Sequence, residues 1–353
     1  MQTADRKYRR SVKANYSLII ILVVFTICNL QSVICNSQII VPPTIGISPS
    51  EPAFSKTFIK QNKIKTISAS VVDKPDGEII RDKGLAQVYV FDTSGNLTRN
   101  YFNEVTSIEK TETEIPAVVK RGRVVKKAHT KTDFQYQYDT LGTEFFYSST
   151  GYLIMKRVCI GDFYNSTYYE YFGDGLISRQ TVCKETNIAK RGEKFKLGVQ
   201  TVISEEKFQY EQLTPTQVKK KFLNDEGKPY KQGILNFING KPLDESYQFE
   251  VGFIRSAVNY KYDSQSRLTE KIMTDNSSGD NMEKITYEYD EAGNLKTEKR
   301  FKNGTQTNEI IYFYEAPASL LATGSGRSLL TSQANRQIQQ ASIKIIKYEY
   351  SFY

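Results

Sequence analysis

The feature that most constrains this chain is a recurring segment in which two aromatic residues flank one other residue and run into an acid-to-glycine turn. Tyr89-Val-Phe-Asp-Thr-Ser-Gly-Asn-Leu97 and Tyr287-Glu-Tyr-Asp-Glu-Ala-Gly-Asn-Leu295 align without gaps, and Tyr260-Lys-Tyr-Asp-Ser-Gln-Ser-Arg-Leu268 keeps all but the glycine. Looser copies run over Tyr136–Gly142, Phe145–Leu153 and Tyr169–Leu176, and shorter ones over Phe222–Gly227, Phe237–Gly240 and Phe301–Gly304. Side chains alternate across a strand, so Tyr-x-Tyr puts both rings on one face. Gln137, Glu170, Lys261 and Glu288 then lie on the other, wet face. An aspartate opening a type I turn accepts backbone N–H groups, and a glycine supplies the positive φ that follows. Asp92, Gly95, Asp139, Gly142, Asp263, Asp290 and Gly293 are therefore expected to be structural turn residues. Each unit reads as a β-hairpin with one apolar face. Single hairpins are marginal in water, so the units must lie side by side to bury that face.

The expected fold is all-β: an elongated, twisted antiparallel sheet of repeated hairpins with a long loop insertion near the C-terminus. Residues 315–341, rich in Ala, Ser, Leu and Gln, interrupt what would otherwise be a hairpin from Ile310–Tyr314 to Ile343–Tyr353, and they read as a mobile insertion. Helical periodicity is confined to a turn or two near Thr214–Phe222 and to Leu329–Gln340. The repeat resembles the YD repeat of bacterial RHS-type proteins, Tyr-Asp-x-x-Gly-x-Leu. The match is full only around Asp92, with Phe91 in place of the tyrosine, and around Asp290. In that family the repeats form a long spiralling antiparallel sheet, which the largest members wrap around a C-terminal toxin. Here the copies are few, their spacing is irregular and no toxin-like domain follows. The resemblance therefore implies a short exported protein with a handful of such units, without the encapsulating function.

Arg6, Lys7, Arg9, Arg10 and Lys13 precede the apolar run Ser17–Leu30, and small residues Cys35 and Ser37 precede Gln38. That is the layout of a Sec-type signal peptide over residues 1–37. The run falls short of the ~20 residues needed to cross a bilayer, so no transmembrane helix is expected after cleavage. A retained anchor and a lipoprotein are the alternatives. Residues 38–55 carry four prolines and read as a Pro-rich tether, leaving 56–353 as the repeat domain. The expected location is the periplasm, the outer-membrane surface or the extracellular space. The net charge is +9, but those five basic residues less Asp5 account for +4 of it. The remainder is an ordinary surface, so no nucleic-acid partner is expected.

One histidine, His129, leaves little for His-based catalysis or zinc. No catalytic, metal or cofactor residues are expected, and the repeat aspartates are explained by their turns. Lys120, Arg121, Arg123, Lys126, Lys127 and Lys131 put six positive charges and no acid into one stretch, an exposed basic hairpin and candidate anion contact. Cys159 and Cys183 are the cysteines left after signal cleavage, and export makes a disulfide between them an open expectation. Their strands flank a third, which sets them ~9.6 Å apart at the usual spacing, against the ~4.4–6.8 Å Cα separation of a disulfide. The 24 tyrosines read chiefly as core, with some hydroxyls at its rim.

The expected function is a non-enzymatic binding or structural module that engages a protein or glycan of the cell envelope, its oligomeric state open. An outer-membrane-associated β-barrel is the alternative, since Tyr350, Phe352 and Tyr353 resemble a barrel's closing strand. A carbohydrate-active enzyme using two of the acids is a third.

Overall fold

The computed structural model describes residues 38–42, 54–74, 81–116, 118–120, 123–126, 129–160, 163–189, 195–250, 255–276, 281–314 and 342–353. A short helix, α1 (Lys56–Gln61), leads into β1 (Ile64–Lys74), β2 (Arg81–Phe91) and β3 (Leu97–Ile115). A small separate hairpin, β4 (Val118–Lys120) and β5 (Arg123–Lys126), precedes β6 (His129–Tyr147). Then come β7 (Leu153–Ile160), β8 (Phe163–Tyr171), β9 (Ile177–Asn187), β10 (Leu197–Thr214), β11 (Gln217–Leu223) and β12 (Pro229–Ile238). The chain ends with β13 (Lys241–Phe249), β14 (Arg255–Tyr262), β15 (Leu268–Asp275), β16 (Asn281–Tyr289), β17 (Leu295–Lys302), β18 (Thr305–Tyr314) and β19 (Ser342–Phe352).

Each strand of the main sheet pairs with its successor, β3 pairs with β6, and β1 pairs with both β2 and β19. With β9 joined to β10, the seventeen strands close into a barrel. All neighbours are antiparallel except β18 and β19, which run parallel from Asn308 beside Ser342 to Tyr314 beside Tyr348. Strands that alternate in direction around a ring must be even in number, so seventeen force one parallel pair. The hairpin expected between Ile310–Tyr314 and Ile343–Tyr353 is therefore not formed. The end of β18 at Tyr314 and the start of β19 at Ser342 therefore lie at opposite rims. The expected insertion at 315–341, the helix at Leu329–Gln340 and the signal at 1–37 lie outside the described residues.

Burial alternates along the strands as the repeat requires: Ala69, Tyr260, Tyr287 and Tyr348 are buried, while Ser68, Lys261, Glu288 and Glu349 are exposed. The buried face is the barrel interior, where one apolar cluster joins Ile67, Phe91, Phe145, Tyr260, Leu295 and Ile346. Part of the stretch expected to be a tether belongs to this core. Ile39 and Ile40 are buried, and Phe54 meets Tyr89 and Phe91 edge to face. Ser55 caps α1 by accepting from the Phe58 N–H, and the Ile39 N–H donates to Asn294 Oδ1 at 3.3 Å. These residues close one rim because their apolar side chains complete an interior that the strands alone leave uncovered.

The repeat turns line mostly that same rim. Asp92 Oδ1 accepts from the Ser94 and Asn96 N–H groups at 2.8 and 2.9 Å, and Asp263 and Asp290 accept in the same way. Gly95 and Gly293 hold φ of 83° and 86°. Where the third copy lacks glycine, Ser266 takes φ 64° itself. Asp139 and Gly142 are a correction: both lie within β6, paired with Glu104 and Tyr101 of β3, and make no turn. No return strand follows them, because the leucine that would start it is missing. Thr214–Phe222 is corrected too, since it forms the β10–β11 hairpin rather than helix.

Gly95 gives a test of how α1 is seated. A Cβ there would collide with the Lys56 carbonyl oxygen, whereas one at Gly227, at the similar φ of 79°, would meet open space. Both Gly→Ala changes should cost the ~1–2 kcal/mol of a left-handed non-glycine residue. Gly95→Ala should cost roughly 1–3 kcal/mol more from overpacking. Equal shifts in urea midpoint would show that α1 does not sit on this turn.

Candidate functional site

The inner wall between β10 and β17 carries charge among its rings. On β11, Lys219 and Lys221 point outward, while Lys220 and Phe222 point inward opposite Tyr210 and Phe208. Lys220 keeps only 7% of its surface exposed. Its Nζ lies 4.1 Å from the ring centre of Phe208 and 4.8 Å from that of Phe222. Lys231 on β12 reaches the other side, with Nζ 4.5 Å from Phe222, 4.7 Å from Tyr247 and 5.0 Å from Phe249. Gly233 is required beside them, because a Cβ there would fall 2.6 Å from the Tyr247 ring. Among the described residues, neither ammonium has a carboxylate within 4.0 Å.

The nearby carboxylates are engaged elsewhere. Glu245, fully buried, accepts the Tyr247 hydroxyl at 2.5 Å and the Tyr260 hydroxyl at 3.0 Å. Glu206 accepts the Tyr230 hydroxyl. Burial disfavours every charged form here. It pushes the Lys220 ammonium down to about 8, lowers Lys231 and Lys271, and raises Glu206 and Glu245.

Beside these groups is a cavity of about 560 Å³, lined by Lys220, Phe222, Lys231, Tyr247, Val258 and Met273, with Asp275, Asn281, Glu283 and Lys302 at the strand ends. A second, of about 550 Å³, lies against Lys271, Glu298 and Arg300, and there Arg300 Nε pairs with Glu298 at 2.7 Å. Aromatic walls with a few fixed charges suit binding. Among the described residues, no group of three or more His, Cys, Asp or Glu could hold a metal.

The outer wall is differently made. Cross-strand ion pairs run around it: Arg99–Glu144 at 3.4 Å, Arg179–Glu205 at 3.7 Å, Glu270 with Lys261 and Lys284 at 2.6 and 2.8 Å, and Lys299–Glu288 at 2.8 Å. Between β7 and β9 the wall also holds a buried knot. Arg157 pairs with Glu185 at 3.1 Å, and Ser166 donates to the same carboxylate at 2.6 Å.

The residues singled out from the sequence lie elsewhere. Lys120 is on β4, Arg123 and Lys126 are on β5, and Lys131 on β6 pairs with Asp133 at 2.9 Å, while Arg121 and Lys127 lie outside the described residues. This basic stretch interrupts the long β3–β6 ribbon, whose Glu109–Glu114 and His129–Asp133 are exposed, and nothing brings it to the inner cavity. Cys159 on β7 and Cys183 on β9 are not joined by a disulfide, because β8 runs between their strands. The aspartates Asp92, Asp263 and Asp290 spend their oxygens on their own turns. Lys220 escapes a reading of the sequence because Val218-Lys-Lys-Lys-Phe222 hides its alternation in a run of one residue type, and Lys231, in Tyr230-Lys-Gln-Gly233, because it belongs to no copy of the repeat.

Fold and site together define a closed, predominantly antiparallel β-barrel with an aromatic interior. No protein-family model matches the chain, and no curated protein does. Among solved structures it is similar to a porin-like protein from Bacteroides uniformis, at 11% identity over 70% of this chain and 93% of that one, with a TM-score of 0.33. It is also similar to a TcdB2-TccC3-TEV chain, at 10% identity and a TM-score of 0.19, over 64% of this chain and 14% of that one.

Proposed function

We propose that this chain is an exported, non-enzymatic binding or structural module of the periplasm or cell surface, a closed β-shell standing in water. The observation that carries the reading is the distribution of charge. A membrane barrel turns an apolar band to lipid and a polar face to its lumen. Here ion pairs run around the outer wall, and the rings of Tyr260, Tyr287 and Tyr348 fill much of the inside, with buried charges such as Lys220, Glu245 and Lys271 set among them. Its partner is a protein, a glycan or a small molecule of the envelope, engaged by the shell or its inner cavity. A second reading, an outer-membrane β-barrel, is favoured by the closure of the sheet. Alkaline carbonate extraction of membranes from the native host separates the two: the water-facing shell is released to the supernatant. Retention in the pellet would overturn the first reading in favour of the second.

A further inference from the structure

We propose that Lys220 and Lys231 form the anion-holding end of a ligand site inside the barrel, one that takes an amphiphilic anion: a carboxylate or phosphate carrying an apolar body. The inference rests on the binding-module reading and names its ligand class. Two ammoniums lie 4.8 and 4.5 Å from the one ring centre of Phe222, and among the described residues neither has a carboxylate within 4.0 Å, Glu206 acting on both only from farther off. Moving an ammonium out of water is expensive unless it is paired, and a cation–π contact returns only ~0.5–2 kcal/mol. The facing acids make no direct ion pair with them, although Glu206 favours both charged forms and Glu245 that of Lys220 from a distance. Glu245 is taken by Tyr247 and Tyr260, Glu206 by Tyr230, and Asp275 and Glu283 line the cavity near the strand ends. Lys302 adds a third cation to the lining, and Lys271 stands on the next strand but one.

Next to Lys220, outside the cavity lining, the Tyr210 hydroxyl is buried with no hydrogen-bond partner among the described residues, its ring centre 5.7 Å from Lys220 Nζ. Lys220 and Lys231 both line the cavity, where a single anionic group would pair with them. The rest of the ligand is set by the walls. Phe222, Val258 and Met273 offer apolar contact, and the cavity of about 560 Å³ has room for a chain behind the head group. A small inorganic anion would leave that surface unfilled.

The experiment is calorimetric titration of the full mature protein with dodecanoate, dodecyl phosphate, dodecanol and acetate, repeated on Lys220→Gln and Lys231→Gln. The two amphiphilic anions should bind and show which head group is preferred, dodecanol should bind more weakly, and acetate should not saturate. Each variant should weaken the anions roughly tenfold or more, the scale of one charge-assisted contact, and leave dodecanol unchanged. Near-ultraviolet tyrosine dichroism identifies a variant that has lost its fold. Lys220→Arg and Lys231→Arg, which keep the charge, should then retain binding. Equal affinity for dodecanol and dodecanoate, or no binding of either anion, overturns the proposal. Catalytic turnover of a bound substrate would overturn the non-enzymatic reading instead, and leave the anion site standing.

Discussion

Raising the pH of the folded protein from about 9 to 12 should ionise its tyrosines in two phases, because a solvated tyrosine titrates near ~10 and a buried one does not. Burial pushes Tyr89, Tyr171 and Tyr262 up to about 12 and holds Tyr247, Tyr287, Tyr312, Tyr314 and Tyr348 higher still. The sign follows from linkage. A group whose folded pKa is raised contributes stability below its unfolded pKa, and that stability is lost as the pH climbs above ~10 toward the folded value. Each such hydroxyl removes about 1.4 kcal/mol per pH unit in that window, so a handful acting together exhaust a domain's ~5–15 kcal/mol. Absorbance at the tyrosinate band should show a gradual first phase, then a steep step coincident with loss of the far-ultraviolet β signal. With 24 Tyr and no Trp the band is unobscured. One smooth titration of all the tyrosines, with the sheet intact throughout, would mean that the rings are not the core.

The repeat made these rings legible. Tyr-x-Tyr before Asp-x-x-Gly predicts which face is buried and where the chain turns, and at Asp92 and Asp290 the turns stand as that pattern requires. The same letters at Asp139–Gly142 mislead, because a turn also needs a strand to return on. There the chain goes straight through, paired with Glu104 and Tyr101 of β3. Closure was legible only as an alternative, from the likeness of Tyr350, Phe352 and Tyr353 to a closing strand, and its register was not. It depends on β1 meeting β19 across nearly the whole sequence, with Ile67 opposite Tyr350, and no local pattern encodes that register. The parallel β18–β19 pair follows only once the strand number is known to be odd. Lys220 was hidden for a different reason: three consecutive lysines show no alternation, and only the pairing of β11 reveals that the middle one faces the rings, with Lys231 of β12 opposite Phe222.

The Arg157–Glu185 knot was equally invisible, since its members lie on separate strands and belong to no repeat. Replacing Glu185 by Ala should cost roughly 3–5 kcal/mol, the scale for removing one partner of a buried ion pair. The carboxylate is fully buried and accepts from Arg157 at 3.1 Å, Ser166 at 2.6 Å, Gln200 at 2.8 Å and the Tyr168 hydroxyl. Its loss leaves Arg157, among the described residues, with only the longer, half-exposed ion pair to Glu144 at 4.0 Å, its guanidinium 3.8 Å from the Phe195 ring centre and 5.5 Å from that of Phe146. Burial alone would raise the pKa of Glu185, but these hydrogen bonds and the arginine outweigh it and hold the pKa below the usual carboxylate range. The pair's stability is therefore present above the unfolded value of ~4.3 and lost as the pH falls through the folded one. Urea unfolding of Glu185→Ala at neutral pH measures the loss. The double variant Arg157→Met, Glu185→Leu should recover part of it, because apolar groups of similar volume need no pairing, while the buried Ser166 hydroxyl is still left without its acceptor. If the double variant unfolded as easily as the single one, the knot's worth would lie in its shape and contacts, and charge would not be what holds β7 to β9.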